Sequence, residues 1–216
     1  MKFPSHSDPV PDDLVEHVIA LPGRELALLA PRDADALATK EAFEREEFLP
    51  YWAELWPSAL ALARAVARRP LTGRRVIELG CGLGLPSLAA ALAGGRVLAT
   101  DWAPDAVAMT ARNAARNDVV LDAAVFRWDA PPEPLGPPWQ LVLASDVLYE
   151  DRNVPALLDL LPRLTAAGGE VWLADPMRKQ AAQFLETAAA TWRIGTIPHD
   201  GPEQVTVHRL SVRGTP

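Results

Sequence analysis

The sequence predicts an α/β fold, with a seven-stranded, mostly parallel sheet, helices on both faces and an antiparallel hairpin at the C-terminal edge. Two observations lead to this prediction. From Arg74 onward, short apolar runs alternate with segments of helical length, an order typical of parallel strands joined by right-handed crossovers. The last two extended runs, 192–197 and 204–212, have no helix between them, which predicts an antiparallel pair.

The N-terminal part of the chain is predicted to begin with a β-hairpin. Short apolar runs at 17–21 and 25–29 flank Pro22 and Gly23. This pair favours a tight turn, because proline fixes φ and glycine accepts a positive φ. We therefore expect residues 1–50 to form an extension made of a hairpin and a helix, and residues 51–216 to form the main domain.

Helices are expected over 33–48 and over 57–69. Pro57 suits the first position of the second of these helices, where the missing N–H of proline costs nothing. The strands of the main sheet are predicted at 75–79, 96–100, 123–126, 140–145, 170–174, 192–197 and 204–212. The helices between them are predicted at 85–93, 104–117, 154–164 and 179–191.

The composition indicates a folded protein of a reducing compartment. The chain has 216 residues, of which 49% are hydrophobic, enough for one well-buried core. Its single cysteine, Cys81, excludes an intrachain disulfide. The net charge of −7 argues against a nucleic-acid partner, and neither a membrane span nor a targeting segment is visible. We expect a cytoplasmic monomer with no membrane partner.

A glycine-rich loop, Gly80-Cys81-Gly82-Leu83-Gly84, follows the predicted strand at 75–79. Glycines there let the backbone turn tightly and approach a ligand, and the next helix begins with unpaired N–H groups. The spacing differs from the dinucleotide fingerprint, and the lysine of a phosphate-binding loop is absent. Glu78 is expected to repel a pyrophosphate and to suit a ligand with an ammonium group. The alternative is a tight turn that binds nothing.

Residues at the ends of the next strands predict a nucleoside site. Asp101 lies about 20 residues after Gly80, where a carboxylate accepts hydrogen bonds from ribose hydroxyls; alternatively it caps the following helix. Trp102 is placed to lie against an adenine face, unless it is a core residue. Asp129, which follows Trp128, can accept from an adenine amino group, or it is a solvated acid.

Residues 78–84 together with Asp101 resemble the S-adenosylmethionine site of the seven-β-strand, class I methyltransferases, which have a Rossmann-like fold. The predicted order of strands and helices from Arg74 to Val212 is similar to theirs. The resemblance implies S-adenosylmethionine as cofactor. With the motifs described next, it implies a cofactor site formed by Trp56, Glu78, Gly80, Gly82, Gly84, Asp101, Trp102, Trp128, Asp129 and Ser145.

Two further segments resemble a subgroup of protein lysine methyltransferases. They are residues 50–58 (Pro-Tyr-Trp-Ala-Glu-Leu-Trp-Pro-Ser) and residues 145–151, which carry Asp/Glu-x-x-Tyr/Phe after the fourth strand. Within the subgroup, the chain is most similar to the lysine methyltransferases of the electron transfer flavoprotein β subunit, as at Ala174-Asp175-Pro176-Met177-Arg178, although Met177 stands where they typically have glycine. The resemblance places Trp56 beside the methionine part of the cofactor.

The resemblance implies an enzyme that methylates a lysine of a protein, with the electron transfer flavoprotein β subunit as a candidate, and it places Asp146 and Tyr149 at the target amine. Deprotonating an ordinary lysine at pH 7.4 costs roughly 4 kcal/mol. Because a nearby carboxylate raises the pKa of a lysine, Asp146 is expected to orient the ammonium group rather than act as a strong general base. Tyr149 is expected to line the channel and face a cation. Alternatively, Asp146 caps a helix and Tyr149 only packs.

Other functions stay open at this point. The same sheet serves small-molecule amine N-methyltransferases, and a cofactor-binding protein without turnover would share the site. RNA or DNA methylation is disfavoured, since the usual Asn/Asp-Pro-Pro-Tyr/Phe motif is absent after the fourth strand. A nicotinamide dehydrogenase is the least favoured function, because the spacing of the glycines differs from the dinucleotide-binding fingerprint. The histidines at 6, 17, 199 and 208 lack metal-ligand spacing, so no metal is expected, and Cys81 is expected to be a small packed residue.

Overall fold

The computed structural model describes residues 13–37, 50–128 and 135–212. Its strands are β1 (Leu14–Leu21), β2 (Arg24–Pro31), β3 (Arg75–Leu79), β4 (Arg96–Asp101), β5 (Asp122–Val125), β6 (Trp139–Ser145), β7 (Thr165–Asp175), β8 (Trp192–Ile197) and β9 (Thr206–Val212). The α-helices are α1 (Pro57–Ala67), α2 (Leu85–Leu92), α3 (Pro104–Arg116), α4 (Asn153–Leu164) and α5 (Lys179–Ala188). Short 3₁₀ turns lie at Asp35–Leu37 and Tyr51–Ala53.

The main sheet has the strand order β5-β4-β3-β6-β7-β9-β8. The five strands from β5 to β7 pair in parallel, whereas β9 pairs antiparallel with both β7 and β8. The predicted seven-stranded, mostly parallel sheet is therefore confirmed, with β9 inserted so that β8 forms the edge. Because the parallel strands end on the same side, the loops after β3, β4 and β6 meet there.

Successive side chains of the central strands point to opposite faces of the sheet and pack into a hydrophobic core on each face. Val76 and Leu141 pack with α1, α2, α3 and the hairpin, whereas their neighbours Ile77 and Val142 pack with α4 and α5. Burial on both faces explains why these strands are nearly continuous apolar runs. None of the helices in the described parts of the chain is long and apolar enough to cross a membrane.

The predicted hairpin is confirmed, and two asparagines attach it to α3. The outer edge of β2 pairs with the side-chain amides of Asn113 and Asn117 instead of with a strand. Their Oδ1 atoms accept from the N–H groups of Leu29 (2.7 Å) and Ala27 (2.9 Å), and their Nδ2 atoms donate to the same residues' carbonyls. These bonds satisfy backbone groups that an edge strand would otherwise leave open. The hairpin shares a core with the sheet. The predicted division of the chain at residue 50 stays a prediction.

Several element ends differ from the predicted ones. Helices α1 and α5 end at Ala67 and Ala188, earlier than expected. Strand β7 begins at Thr165, because Thr165 pairs with Trp139 before an irregularity in the ladder. Of the helix predicted over 33–48, the described part is the 3₁₀ turn, where the Asp33 carboxylate accepts from the N–H of Ala36 at 3.1 Å; residues 38–49 lie outside the described part.

Candidate active site

The carboxyl ends of β3, β4 and β6 open into a cavity of about 850 Å³. The order of the strands reverses at β3, which has β4 on one side and β6 on the other. Such a switch point is where open parallel sheets form a binding crevice. The segment that leads into α1 and the first turn of that helix also line the cavity, through Tyr51, Trp52, Glu54, Leu55, Trp56 and Ala59.

Most of the residues predicted for the site line this cavity. They are Trp56, Gly80, Gly82, Asp101, Trp102, Trp128, Ser145, Asp146 and Tyr149. Glu78 and Gly84 are not in the lining, and Asp129 lies outside the described residues. Sequence reasoning assigned no role to Arg127, Arg152 or Arg178, which also line the cavity.

Two glycines of the loop allow close packing against different parts of the chain. At Gly82, where φ is 51°, a Cβ would lie 3.1 Å from the backbone oxygen of Trp52, so a bare backbone lets the segment before α1 close over the loop. At Gly84, where φ is 83°, a Cβ would lie 2.7 Å from the Thr110 side chain of α3. Gly84 therefore allows α3 to pack, and its predicted contact with a ligand stays a prediction.

Asp101 ends β4 as a buried carboxylate on the cavity wall. Its Oδ2 accepts from the N–H of Gly82 at 3.0 Å, and its Oδ1 accepts from the N–H of Ala103 at 3.0 Å. Burial raises the pKa of this carboxyl group to about 6, against the opposing effect of the N–H donors. Each oxygen keeps a second lone pair, so the group can also accept a pair of hydroxyls. Asp101 thus fixes the turn before α3 through the N–H of Ala103 and lines the cavity at once.

Glu78 is not in the lining of the cavity, and its predicted contact with a ligand's ammonium group stays a prediction. It shares a strand face with Val76 and points towards α2, where Ser87 Oγ donates to its Oε2 at 2.5 Å. Its Oε1 has no hydrogen-bond partner among the described residues. Complete burial raises the pKa of Glu78 to about 8, so the neutral acid predominates at pH 7.

Cys81 is buried, as predicted, and holds its proton. Burial, with Asp101 and Glu78 adding to the effect, raises the pKa of its thiol well above the usual value. The hydroxyl of Thr110 donates to Sγ at 3.3 Å. The residue is therefore a packed thiol.

Asp146 follows β6 in a left-handed conformation, with φ of 56°. Its N–H donates to the carbonyl of Ala174 at 2.9 Å, and its side chain is held by two residues that sequence reasoning missed. Arg178 Nε donates to Oδ1 at 2.8 Å, Arg178 Nη2 lies 2.7 Å from the same oxygen as an ion pair, and Ser58 Oγ donates to Oδ2 at 3.3 Å. Both partners lie in segments that resemble the lysine methyltransferases, which was the available indication.

Aromatic rings form the wall beside Asp146. The ring of Tyr51 stands edge-on to Tyr149, with centroids 5.6 Å apart, and to Trp56, at 6.1 Å. Trp56 Nε1 donates to the carbonyl of Tyr51 at 2.7 Å. Burial, then Glu150 and Asp101, raise the pKa of Tyr149 to about 12. Its hydroxyl is therefore a hydrogen-bond donor and not a base at neutral pH.

The turn after β7 shows why the similar methyltransferases typically have glycine at the position of Met177. Asp175 Oδ1 accepts from the N–H of Arg178 at 2.6 Å, and the turn gives Met177 a φ of 67°. Glycine adopts this conformation without steric cost, so a glycine suits the position. The Met177 side chain is 75% exposed and packs against little.

The fold and the cavity together define a class I methyltransferase. The sheet is parallel apart from one inserted antiparallel strand, a glycine loop follows its central strand, and a buried carboxylate ends the next strand. A family model described as lysine methyltransferase matches residues 48–190. The chain belongs to that family, as the resemblance predicted.

The individual relatives include lysine methyltransferases and an arginine methyltransferase. The chain is 36% identical over 135 residues to the electron transfer flavoprotein β subunit lysine methyltransferase of Danio rerio, covering 61% of this chain and 52% of that protein. It is 30% identical to the histone-arginine methyltransferase METTL23 of Xenopus laevis, over 67% of this chain and 65% of that protein. The chain spans about half the length of the flavoprotein methyltransferases that it matches.

A solved structure shares the fold. It is a 16S rRNA methyltransferase of T. thermophilus in complex with S-adenosylmethionine and guanosine, with a TM-score of 0.68 at 16% identity. The match covers 97% of this chain and 53% of that chain. At this identity the likeness concerns the fold.

Proposed function

We propose that the protein transfers a methyl group from S-adenosylmethionine to a lysine side chain of a protein. The observation that carries this proposal is one cavity lined by two buried carboxylates and by aromatic rings. Asp101 accepts from the glycine loop at Gly82, and Asp146 follows β6 and shares the cavity lining with Tyr51, Trp56 and Tyr149. Membership of the lysine methyltransferase family supports the same reaction.

The end of the cavity at Asp101 suits the nucleoside part of the cofactor. Asp101 is fixed by two backbone N–H groups and has lone pairs left for ribose hydroxyls. The partly exposed ring of Trp102 and the ring of Trp128 line the same end and offer flat apolar faces to adenine. When bound, S-adenosylmethionine supplies an electrophilic methyl group on a positively charged sulfur.

The end of the cavity at Asp146 suits a cationic side chain. Asp146 orients the ammonium group, and the rings of Tyr51 and Tyr149 surround its aliphatic stem and exclude water. Trp56 keeps its predicted place beside the methionine part of the cofactor. An amine accepts a methyl group only in its neutral form, at a cost of roughly 4 kcal/mol for an ordinary lysine at pH 7.4. Apolar walls lower that cost, because they disfavour the charged amine. Alignment and dehydration therefore supply most of the catalysis here.

The electron transfer flavoprotein β subunit is the first protein substrate to test. This choice rests on the named relative and on the shared segments at 50–58 and 174–178. A cytoplasmic location, a monomeric state and the absence of nucleic-acid and membrane partners stay predictions of the sequence.

The decisive experiment uses the full chain and a deuterated methyl donor. Purified electron transfer flavoprotein and a lysate of the source cell would be incubated with the protein, and peptides and small metabolites would be analysed by mass spectrometry. Deuterated methyl groups on a lysine of a protein would support the proposal. Label confined to arginine or to small amines would refute the choice of lysine, and a chain that does not bind S-adenosylmethionine would refute the reaction.

A further inference from the structure

The carboxylate at the acceptor end of the cavity is already paired with a cation of its own chain. Arg178 Nε donates a 2.8 Å hydrogen bond to Asp146 Oδ1, and Arg178 Nη2 lies 2.7 Å from the same oxygen as an ion pair. The Asp146 side chain is 7% exposed and that of Arg178 is 35% exposed. A partly buried guanidinium–carboxylate pair of this geometry is a strong, charge-assisted interaction. An incoming ammonium group therefore meets a carboxylate whose charge is largely compensated.

Arg178 is held in place by its backbone. Its N–H donates to Asp175 Oδ1 at 2.6 Å, and it is the residue that precedes the first turn of α5. On the opposite side of Asp146, Ser58 in α1 donates to Oδ2. The two ends of the carboxylate are thus fixed from different elements, which leaves its orientation little freedom.

The charge balance around Asp146 decides how easily an acceptor amine loses its proton. An unpaired carboxylate beside the amine would stabilise the ammonium form and oppose methylation. The groups that face Asp146 are Ser58 from α1, Arg178 from the start of α5, and Asp175, whose carboxyl pKa is raised by burial and by Asp146 itself. Of these groups, Arg178 is the one that offsets the negative charge of Asp146.

We propose that Arg178 is a positioning residue for methyl transfer. By pairing with Asp146, it fixes the carboxylate against Ser58 and keeps the acceptor end close to neutral, so that the substrate amine is oriented without being locked in its charged form. This inference rests on the proposed function, since it concerns the acceptor end of the same cavity. It assigns to Arg178 a role that acts through Asp146, without contact with the transferred group.

Two nucleoside ligands test the proposal without any protein substrate. Sinefungin carries an amine in place of the sulfur-bound methyl group, whereas S-adenosylhomocysteine is neutral at that position. The ratio of their dissociation constants, measured by calorimetry, therefore reports the charge at the acceptor end. In the unmodified protein we expect the two affinities to be similar. In Arg178→Gln, sinefungin should gain about tenfold over S-adenosylhomocysteine, because Asp146 is left uncompensated.

Matched variants separate charge from folding. Arg178→Lys keeps the cation and should keep the unmodified ratio, whereas Arg178→Gln combined with Asp146→Asn should lose the gain. Asp146→Asn alone leaves the arginine unpaired and should weaken sinefungin relative to S-adenosylhomocysteine, which tests the pairing even if Arg178→Gln does not fold. An unchanged ratio in both Arg178→Gln and Asp146→Asn would overturn the role of Arg178. Failure of the unmodified protein to bind either ligand is a distinct result that would overturn the proposed function itself.

Discussion

The N–H of Gly82 donates a 3.0 Å hydrogen bond to Oδ2 of Asp101, and this bond joins the glycine loop to the end of β4. One carboxylate therefore shapes the loop and faces the cavity at the same time. Because Asp101 is also buried, its charge depends on these N–H donors and on whatever hydroxyls the ligand adds. Binding of the nucleoside and ionisation of Asp101 are consequently coupled.

Affinity for S-adenosylmethionine should fall as the pH drops below about 6. Burial raises the pKa of Asp101 to about 6, so below that pH the group is protonated and loses part of its capacity to accept two hydroxyls. The loss should approach tenfold per pH unit. Calorimetric titrations from pH 5 to 8 would measure it, with Asp101→Asn as the reference for every other pH effect. That variant should bind about ten- to a hundredfold more weakly at pH 7.5, and unchanged affinity would contradict the ribose role.

Asp146→Asn should keep the cofactor and lose turnover. Asparagine tolerates the left-handed conformation at this position, so the loop is retained, but the neutral amide no longer draws in or orients an ammonium group. We expect affinity for S-adenosylmethionine to fall by no more than about tenfold, because Arg178 is left uncompensated beside the sulfonium, and methyl transfer to fall by about a hundredfold. Asp151→Asn is the matched control, because Asp151 lies in the same loop, outside the cavity, and accepts from Gln180. A variant that no longer binds the cofactor would move Asp146 out of the acceptor site.

Much of the sheet and of the cofactor end could be predicted because these features are local. Strand β3 matches its predicted bounds, since a strand buried on both faces is a short apolar run that ends at a glycine. Asp101 was found through its spacing from the glycine loop, which the right-handed crossover of a parallel sheet keeps nearly constant.

The Arg178–Asp146 pair could not be predicted, because it joins two loops that are 32 residues apart in the chain and brought together only by the pairing of β6 with β7. The orientation of the Glu78 side chain was missed for a different reason. As the residue before the last of β3, it projects onto a face of the sheet, towards Ser87, and not beyond the strand end. The alternation of strand side chains contained that information.

Glu78→Gln should remove part of the pH dependence of stability. Burial raises the pKa of Glu78 from 4.5 to about 8, so the folded state binds a proton that the unfolded state releases between these values. The stabilisation is fully present below pH 4.5 and is lost as the pH rises through about 8, by an amount on the order of 5 kcal/mol. Glutamine mimics the neutral acid, so the free energy of unfolding of the variant should decline less between pH 5 and 8.5. Urea unfolding would measure this, with the exposed Glu186→Gln as control; parallel pH profiles would contradict the prediction.

Met177→Gly should leave the protein as stable or make it more stable. The left-handed backbone of Met177, with φ of 67°, costs a residue with a Cβ about 1 kcal/mol, whereas its exposed side chain contributes little packing. The greater freedom of glycine in the unfolded chain offsets part of this gain. Met177→Ala, which removes the side chain and keeps the Cβ, separates the two effects. Urea unfolding should rank glycine above alanine by a few tenths of a kcal/mol or more, and the reverse order would show that Met177 is not strained.

Asn113→Ala should destabilise the protein through its hairpin. Asn113 is fully buried; its Oδ1 accepts from the N–H of Leu29, and its Nδ2 donates to the carbonyls of Leu29 and Leu83. Alanine leaves these backbone groups unpaired, at a cost of about 1–3 kcal/mol for each buried group that water cannot reach. We expect a loss of about 3 kcal/mol in urea unfolding, against no measurable change for Arg112→Ala, which alters an exposed residue of the same helix. Since Leu83 belongs to the glycine loop, the variant should also show faster amide hydrogen exchange at both Leu29 and Gly82. Faster exchange at Leu29 alone would mean that Asn113 supports the hairpin without supporting the loop.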